Sequence, residues 1–292
     1  MGIEASIGQV YINGVFVPAQ EATVSVFDRG FLFGDGVYEV IPVIEGKLVD
    51  EAYSVERLSR SLEAIEMAWP CGRDEYLDNL RELIARNKLH EGSVYVQVTR
   101  GVAKRDFAYP KDTPTTLMMF SAERNILENP AAESGVSVVT VPDLRWKRRD
   151  IKSLNLLAQC MAKQEAAAKS AFEAWMTEDD MVTEGGSSSA FIVSNGVLVT
   201  RPLSRTILPG IRRRVILELC ESQGVRLEQR AFSVEEALAA DEAMLSSATT
   251  LILPVTSIDG HSIGDGSPGP VTRNLRALYK QHLLDEAAAK SI

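Results

Sequence analysis

The sequence predicts an α+β protein, or an irregular α/β one, built as two domains with mostly antiparallel or mixed sheet. Three observations carry this. Strand-like and helix-like segments mix without the strict βαβ order of a parallel sheet, two Asn-Gly pairs separate short runs of β-branched and aromatic residues, and a stretch rich in Asn, Glu, Pro and Ala over 123–135 divides the elements into two sets. At 292 residues the chain is also of two-domain length, taking a domain as roughly 100 to 200 residues.

Taken in order, 10–12 and 15–17 flank Asn13-Gly14, a pair suited to the positive φ values of a type I′ hairpin. A strand over 37–43 leads into a tight turn at Glu45-Gly46. Ser54 is expected to cap a helix with Val55, Leu58, Leu62 and Ile65 on one face, and Asp74 to open a second with Leu77, Leu80 and Ile84. Both can cover one sheet face. Strands over 93–100 and 115–120, on either side of a polar, turn-rich stretch at 101–114, complete a first domain over 1–122. After the linker 123–135, the second domain (136–292) is expected to hold a strand at 136–141, a helix at 154–169 and a strand at 172–176. There follow a hairpin turned by Asn195-Gly196, a helix at 211–222 stopped by Gly224, a short helix at 234–239, strands at 243–246 and 252–258, and a last helix at 271–284.

Composition narrows the function. Hydrophobic content of 45% and charged content of 24% are those of an ordinary globular chain. A net charge of -9, with no Lys/Arg run to offset it, argues against nucleic acid as a partner. No apolar run approaches the ~20 residues that span a bilayer, so no membrane segment is expected. Met1-Gly2-Ile3-Glu4-Ala5-Ser6 fits the bare myristoylation pattern and is read as a chance match, and a secretory leader is absent by pattern. Cys71, Cys160 and Cys220 are odd in number and widely spaced, which fits a reducing compartment, the cytoplasm, and no metal site.

Three stretches carry the chemistry: Asp150-Ile151-Lys152-Ser153-Leu154-Asn155 before a helix, Thr183-Glu184-Gly185 after a strand, and Ile207-Leu208-Pro209-Gly210-Ile211 before another helix. In this order and at these spacings the chain resembles the class IV aminotransferases, the fold type IV pyridoxal phosphate enzymes, and among them most closely the D-amino acid aminotransferases. The resemblance runs from Tyr11 to about Leu275. It implies a fold type IV aminotransferase-like architecture with pyridoxal 5′-phosphate in a cleft between the two domains.

The residue types suit that chemistry. A lysine amine forms a Schiff base with an aldehyde cofactor and, once freed, can move a proton between Cα and C4′, the two roles the match gives Lys152. A carboxylate beside a pyridine nitrogen favours the protonated ring, and Glu184 matches that position. Gly210, Ile211 and Arg212 at a helix start offer N–H groups to an anion. The resemblance further implies a direct phosphate contact from Arg57, in Glu56-Arg57-Leu58, loop donors at Ser247 and Ala248, and cofactor contacts at Ser187 and Leu208.

For the substrate, the resemblance implies that Tyr38 helps hold a carboxylate and that Arg105 reaches it from the partner subunit of a homodimer with shared active sites. A guanidinium fork suits a planar carboxylate. Where that family commonly has histidine two residues later, this chain has Phe107, which removes one donor and makes the pocket more apolar. Branched-chain L-amino acid aminotransferases usually carry Tyr-x-Arg where this chain reads Tyr95-Val96-Gln97, so Gln97 counts against them. The expected reaction is ping-pong transamination between a D-amino acid and a 2-oxo acid such as pyruvate or 2-oxoglutarate. The alternative is an (R)-selective amine transaminase, which Phe107 could favour, followed by the branched-chain enzymes or an aminodeoxychorismate lyase on the same scaffold.

Overall fold

A computed structural model of the chain describes residues 8–290; the myristoylation-like pattern at Met1 to Ser6 lies outside them. The chain divides into two compact units. One holds the described residues of Met1–Asn125 and Leu283–Ile292 together with Ile151–Asn155; the other holds Ile126–Asp150 and Leu156–His282.

The first unit is built on an antiparallel sheet of β1 (Gln9–Ile12), β2 (Val15–Pro18), β3 (Gly36–Ile44), β4 (Lys47–Leu48), β5 (Gly92–Thr99) and β6 (Thr116–Glu123). Their order is β2-β1-β6-β5-β3-β4. Asn13 and Gly14 both have positive φ, as the type I′ hairpin requires. A short helix, α1 (Arg29–Phe33), precedes β3, while α2 (Glu51–Ala64) and α3 (Arg73–Asn87) lie between β4 and β5. Strand alternation sends Val37, Ile41, Val94, Val96, Val98, Leu117 and Met119 into one core with Leu58, Leu62, Leu80 and Leu83 of α2 and α3. The opposite face carries Tyr38, Tyr95, Gln97 and Phe120, all only half-buried.

The second unit is a mixed sheet of β7 (Val136–Pro142), β8 (Glu173–Glu178), β9 (Met181–Gly185), β10 (Ser189–Ser194), β11 (Val197–Thr200), β12 (Leu227–Gln229), β13 (Glu242–Ser247), β14 (Leu251–Ile258) and β15 (His261–Ser262). The order is β12-β11-β10-β13-β14-β7-β8-β9, with β15 beside β14. Its pairs β7–β8, β7–β14 and β11–β12 are parallel. One face packs Val138, Trp175, Ile192, Leu245 and Leu253 around Phe232, and part of the other packs Val139, Val141 and Met176 against Ala162 and Ala166 of a helix. The helices are α4 (Ala131–Ser134), α5 (Leu157–Ala168), α6 (Ile211–Gln223), α7 (Val234–Leu238) and α8 (Pro270–Ala289), the last of which ends in the first unit.

Four expectations change. Ser54 does not cap α2: the helix starts at Glu51 after Asp50, and the Ser54 hydroxyl instead donates back to the Asp50 carbonyl at 3.2 Å. The stretch 123–135 is not a free linker, because β6 takes up Glu123, Ile126 is buried, and Ala131 and Ala132 pack on the second core. The helix expected from 154 starts at Leu157. The residues before it, 151–155, were expected in the second domain and belong to the first unit. Strand β4 covers only Val43 and Ile44 of β3, so the edge at Gly36–Tyr38 is open to 151–155. The Tyr38 N–H donates to the Lys152 carbonyl and the Leu154 N–H to the Gly36 carbonyl, each at 3.0 Å. Among the described residues no helix is long and apolar enough to cross a membrane, and all three cysteines are free.

Candidate active site

Lys152 is held by its backbone rather than its side chain. Ile151 is buried in the first core, Ser153 bridges to Val37, and the Lys152 N–H reaches the Ser61 hydroxyl at 3.4 Å. The close approach needs Gly36, where a Cβ would sit 2.5 Å from the Val98 carbonyl oxygen and 2.7 Å from the Leu154 side chain. The Lys152 amine lies 4.0 Å from the centroid of the Tyr38 ring and makes no hydrogen bond among the described residues. Tyr38 stacks on Tyr95 at 5.6 Å, and Tyr95 on Phe120 at 4.9 Å. Burial, then the neighbouring Tyr38, pushes the Tyr95 hydroxyl above its ordinary value. That hydroxyl donates to Gln97 Oε1 at 2.9 Å.

Arg57, on α2, is buried and forked onto Glu39, the residue after Tyr38 on the opposite sheet face: Nε donates to Oε1 at 2.8 Å and Nη2 to Oε2 at 2.6 Å. Two of its nitrogens therefore serve a carboxylate of the same unit.

The stretch 101–114 carries Arg105 and Phe107. Gly101 closes its neck, with φ +90° and a Cβ position 2.0 Å from the Pro114 carbonyl oxygen. Asp35 accepts from both Arg29 Nε (2.7 Å) and Arg100 Nε (2.9 Å), two buried guanidiniums on one carboxylate. Arg29 Nη1 then donates to the Asp106 carbonyl at 2.5 Å and Nη2 to that of Phe107 at 3.4 Å. Arg105 itself is exposed.

In the second unit Glu184 lies on β9, a strand hidden in the sequence because it is only five residues long, starting after Asp179-Asp180 and ending on Gly185. Its carboxylate is buried and accepts two hydrogen bonds, from the Arg145 guanidinium and from the Leu208 N–H at 3.0 Å. Both fall on Oε1; Oε2 accepts none among the described residues. Arg145 is fixed in turn by Asp143, Nη2 to Oδ2 at 2.6 Å and Nε to Oδ1 at 2.9 Å. Asp143 also takes the Thr183 hydroxyl at 2.6 Å and Arg149 at 3.2 Å.

Burial raises the Glu184 carboxyl, and the Arg145 charge only partly offsets it. Asp143 is also opposed by burial, but its bonds to Arg145 and Thr183 outweigh that and hold it below the ordinary range. Arg213 is lowered by burial, with Glu184 acting the other way. Motif reading missed Asp143 and Arg145, which hold the Glu184 carboxylate. The only signal was an acid two residues before an arginine beside Trp146, with nothing in the sequence to link it to an acid 39 residues on.

The remaining predicted residues gather at one end of the second sheet, except one. Ser189, first in β10, pairs with Ser246 near the end of β13, and a Cβ on Gly210 would meet the Ser189 hydroxyl at 2.7 Å. The N-terminus of α6, at Gly210, Ile211 and Arg212, thus lies beside the turn holding Ser247 and Ala248. No side chain caps α6, and the first N–H groups of a helix are donors that suit an anion. Ser247 bonds Thr250 at 2.8 Å, the buried Ser246 hydroxyl has no partner among the described residues, and Leu251 is held at φ +61°, a strained value for a bulky residue. Ser187 lies elsewhere in its contacts: its hydroxyl donates to the buried Glu173 carboxylate at 2.8 Å, which needs donors of its own.

The amino-transferase class IV family model matches residues 36–258. The chain is 40% identical over 285 residues to a D-alanine aminotransferase of Bacillus licheniformis, covering 96% of this chain and 99% of that one. It is 38% identical to a D-alanine aminotransferase of Staphylococcus haemolyticus, covering 94% and 98%. In fold it is similar to a branched-chain amino acid aminotransferase of Escherichia coli, with a TM-score of 0.88 at 23% identity over 95% of each chain.

Proposed function

The chain belongs to the class IV aminotransferases, and on that premise we propose that it moves the amino group of a D-amino acid to a 2-oxo acid such as pyruvate or 2-oxoglutarate, with pyridoxal 5′-phosphate as cofactor. The residues present fit that cofactor. A buried carboxylate oxygen at Glu184 accepts no hydrogen bond, the N-terminus of α6 is uncapped beside an unpartnered Ser246 hydroxyl, and the Lys152 amine is free of hydrogen bonds among the described residues.

When bound, the cofactor supplies an aldehyde that takes up the amino group and a ring that withdraws electrons from the substrate Cα. Lys152 Nζ would hold the cofactor and, once the donor's amine has displaced it, the freed Lys152 amine would take the Cα proton of the donor and return a proton on the same face. Glu184 Oε2 holds a proton on the ring nitrogen. Arg145 offsets part of the burial that raises the Glu184 carboxyl, and Asp143 keeps Arg145 in place. The N–H groups of Ile211 and Arg212, with Gly210, Ser247 and Ala248, bind the phosphate. Arg57, which the family resemblance assigns to the phosphate, keeps its buried charge while forked on Glu39. Leu208 donates to Glu184 and so shapes the ring site rather than the phosphate.

The donor class rests on one observation: the strand position that would carry an arginine in branched-chain relatives holds Gln97, already engaged by the Tyr95 hydroxyl, while a guanidinium stands ready in the 101–114 stretch at Arg105. Tyr38 and Arg105 then receive the carboxylate, Arg105 acting in the partner's site. A homodimer is supported by the large apolar side chains exposed around that stretch, with Phe31 at 71% and Phe107 at 79%. Three free cysteines fit the cytoplasm. Phe107 also favours a second reading, (R)-amine transamination. The test is to mix the cofactor-loaded protein with 2-oxoglutarate and either D-alanine or (R)-1-phenylethylamine. Pyruvate from D-alanine supports the first reading; acetophenone without pyruvate replaces it with the second.

A further inference from the structure

Arg105 makes no hydrogen bond and no ion pair among the described residues. What holds its guanidinium is aromatic: it lies 5.4 Å from the centroid of Phe33 and 5.7 Å from that of Phe107, and the two rings are themselves 5.5 Å apart. Phe33 ends α1 and takes a second guanidinium, Arg29, at 4.8 Å. Arg29 is buried, paired with Asp35, and donates to the carbonyls of Asp106 and Phe107, the two residues that follow Arg105. Cations and rings therefore alternate as Arg29, Phe33, Arg105 and Phe107, with one end locked in the protein and the other in solvent.

A lone exposed arginine samples many rotamers, and freezing it on a ligand costs side-chain entropy. Two ring faces beside the guanidinium remove part of that cost in advance. They attract the charge through the ring quadrupole and consume none of its N–H donors. A histidine at position 107 would offer a donor of its own; phenylalanine cannot, so its ring acts on a carboxylate through Arg105.

We propose that Phe107 and Phe33 form an aromatic clamp that pre-orients Arg105 for a substrate carboxylate, with Arg29 as the positioning residue that fixes the clamp to the fold. This rests on the reading of Arg105 as the carboxylate site. Its consequence is a preference for donors and acceptors bearing an α-carboxylate, even though one family donor is missing.

The test is calorimetric titration of the cofactor-loaded protein with propionate, a carboxylate with no amine to transfer, on the wild type and on Phe107→Leu and Phe107→Tyr. Phe107 is exposed in the protomer, and because that exposure also supports the proposed homodimer, each variant is first checked by size-exclusion chromatography to keep the wild-type oligomeric state. The clamp predicts a Kd about three- to tenfold weaker in Phe107→Leu, the range of one cation–π contact, and recovery in Phe107→Tyr, which keeps the ring. In steady state Phe107→Leu raises KM for D-alanine by a similar factor and leaves kcat unchanged. Equal Kd values for wild type and Phe107→Leu, a Phe107→Tyr variant as weak as Phe107→Leu, or a wild type that does not bind propionate would each overturn the clamp. Ring-dependent propionate binding in a protein inert toward D-amino acids would leave the clamp standing and remove the D-amino acid reading.

Discussion

Glu184 and Arg105, the charged groups proposed to meet the cofactor ring and the substrate carboxylate, are held in opposite ways. Glu184 is buried and surrounded by charge, with Arg145 on one oxygen and Asp143, Thr183 and Arg149 behind that arginine. Arg105 is exposed and held by two phenyl rings with no hydrogen bond among the described residues. A buried charge must be paired or it neutralises, so the cofactor side can only be built as a network. An exposed guanidinium is already solvated and needs only orientation. Changes in the first region should therefore cost stability and activity together, and changes in the second should cost binding alone.

The largest effect expected on activity is from Lys152→Ala, which removes the amine proposed to carry the chemistry. Turnover of D-alanine with 2-oxoglutarate should vanish while the melting temperature stays near wild type, because that side chain makes no hydrogen bond among the described residues. Arg145→Leu comes next: it leaves the Asp143 and Glu184 carboxylates buried without their shared guanidinium. A loss of about 3–5 kcal/mol in chemical denaturation is expected, with activity lost as well. Arg105→Leu should break the pattern in the other direction. KM for D-alanine should rise by roughly ten- to a hundredfold, as a charged hydrogen-bond pair of about 1.5–3 kcal/mol is lost, with denaturation unchanged.

The smallest effect is in the pH dependence of stability. Asp143 is depressed in the folded state, so its contribution is complete above the unfolded value of about 3.9 and is lost as pH falls through its lower folded one. Glu184 is raised, so its contribution has the opposite sign and erodes as pH rises above the ordinary carboxylate range. Asp143→Asn should accordingly flatten the acid limb of a melting-temperature profile. An unchanged acid limb would mean that the arginines around Asp143 do not favour its charged form.

The contrast between the two regions also explains what could be read from the sequence. Lys152, Glu184 and Gly210 stand in short local motifs, each beside an element whose period or punctuation is visible, and the hairpins at Asn13-Gly14 and Asn195-Gly196 form where turn chemistry puts them. The α+β class followed from the same local signals. Residues whose roles depend on distant partners were not legible. Asp143 and Arg145 resemble a solvated turn until β9 brings Glu184 beside them, Ser187 gives no sign of its bond to Glu173, and 151–155 reads as a helix lead-in although it completes an edge of β3. Arg29 and Phe33 were missed for a similar reason: α1 is five residues long, too short to show a period.

The most direct test of the whole account is the visible absorbance of the cofactor-loaded protein on adding D-alanine, L-alanine or L-leucine with no oxo acid present. The account predicts rapid loss of the band with D-alanine and a stable band with both L-amino acids. Loss of the band with L-leucine and none with D-alanine would contradict it.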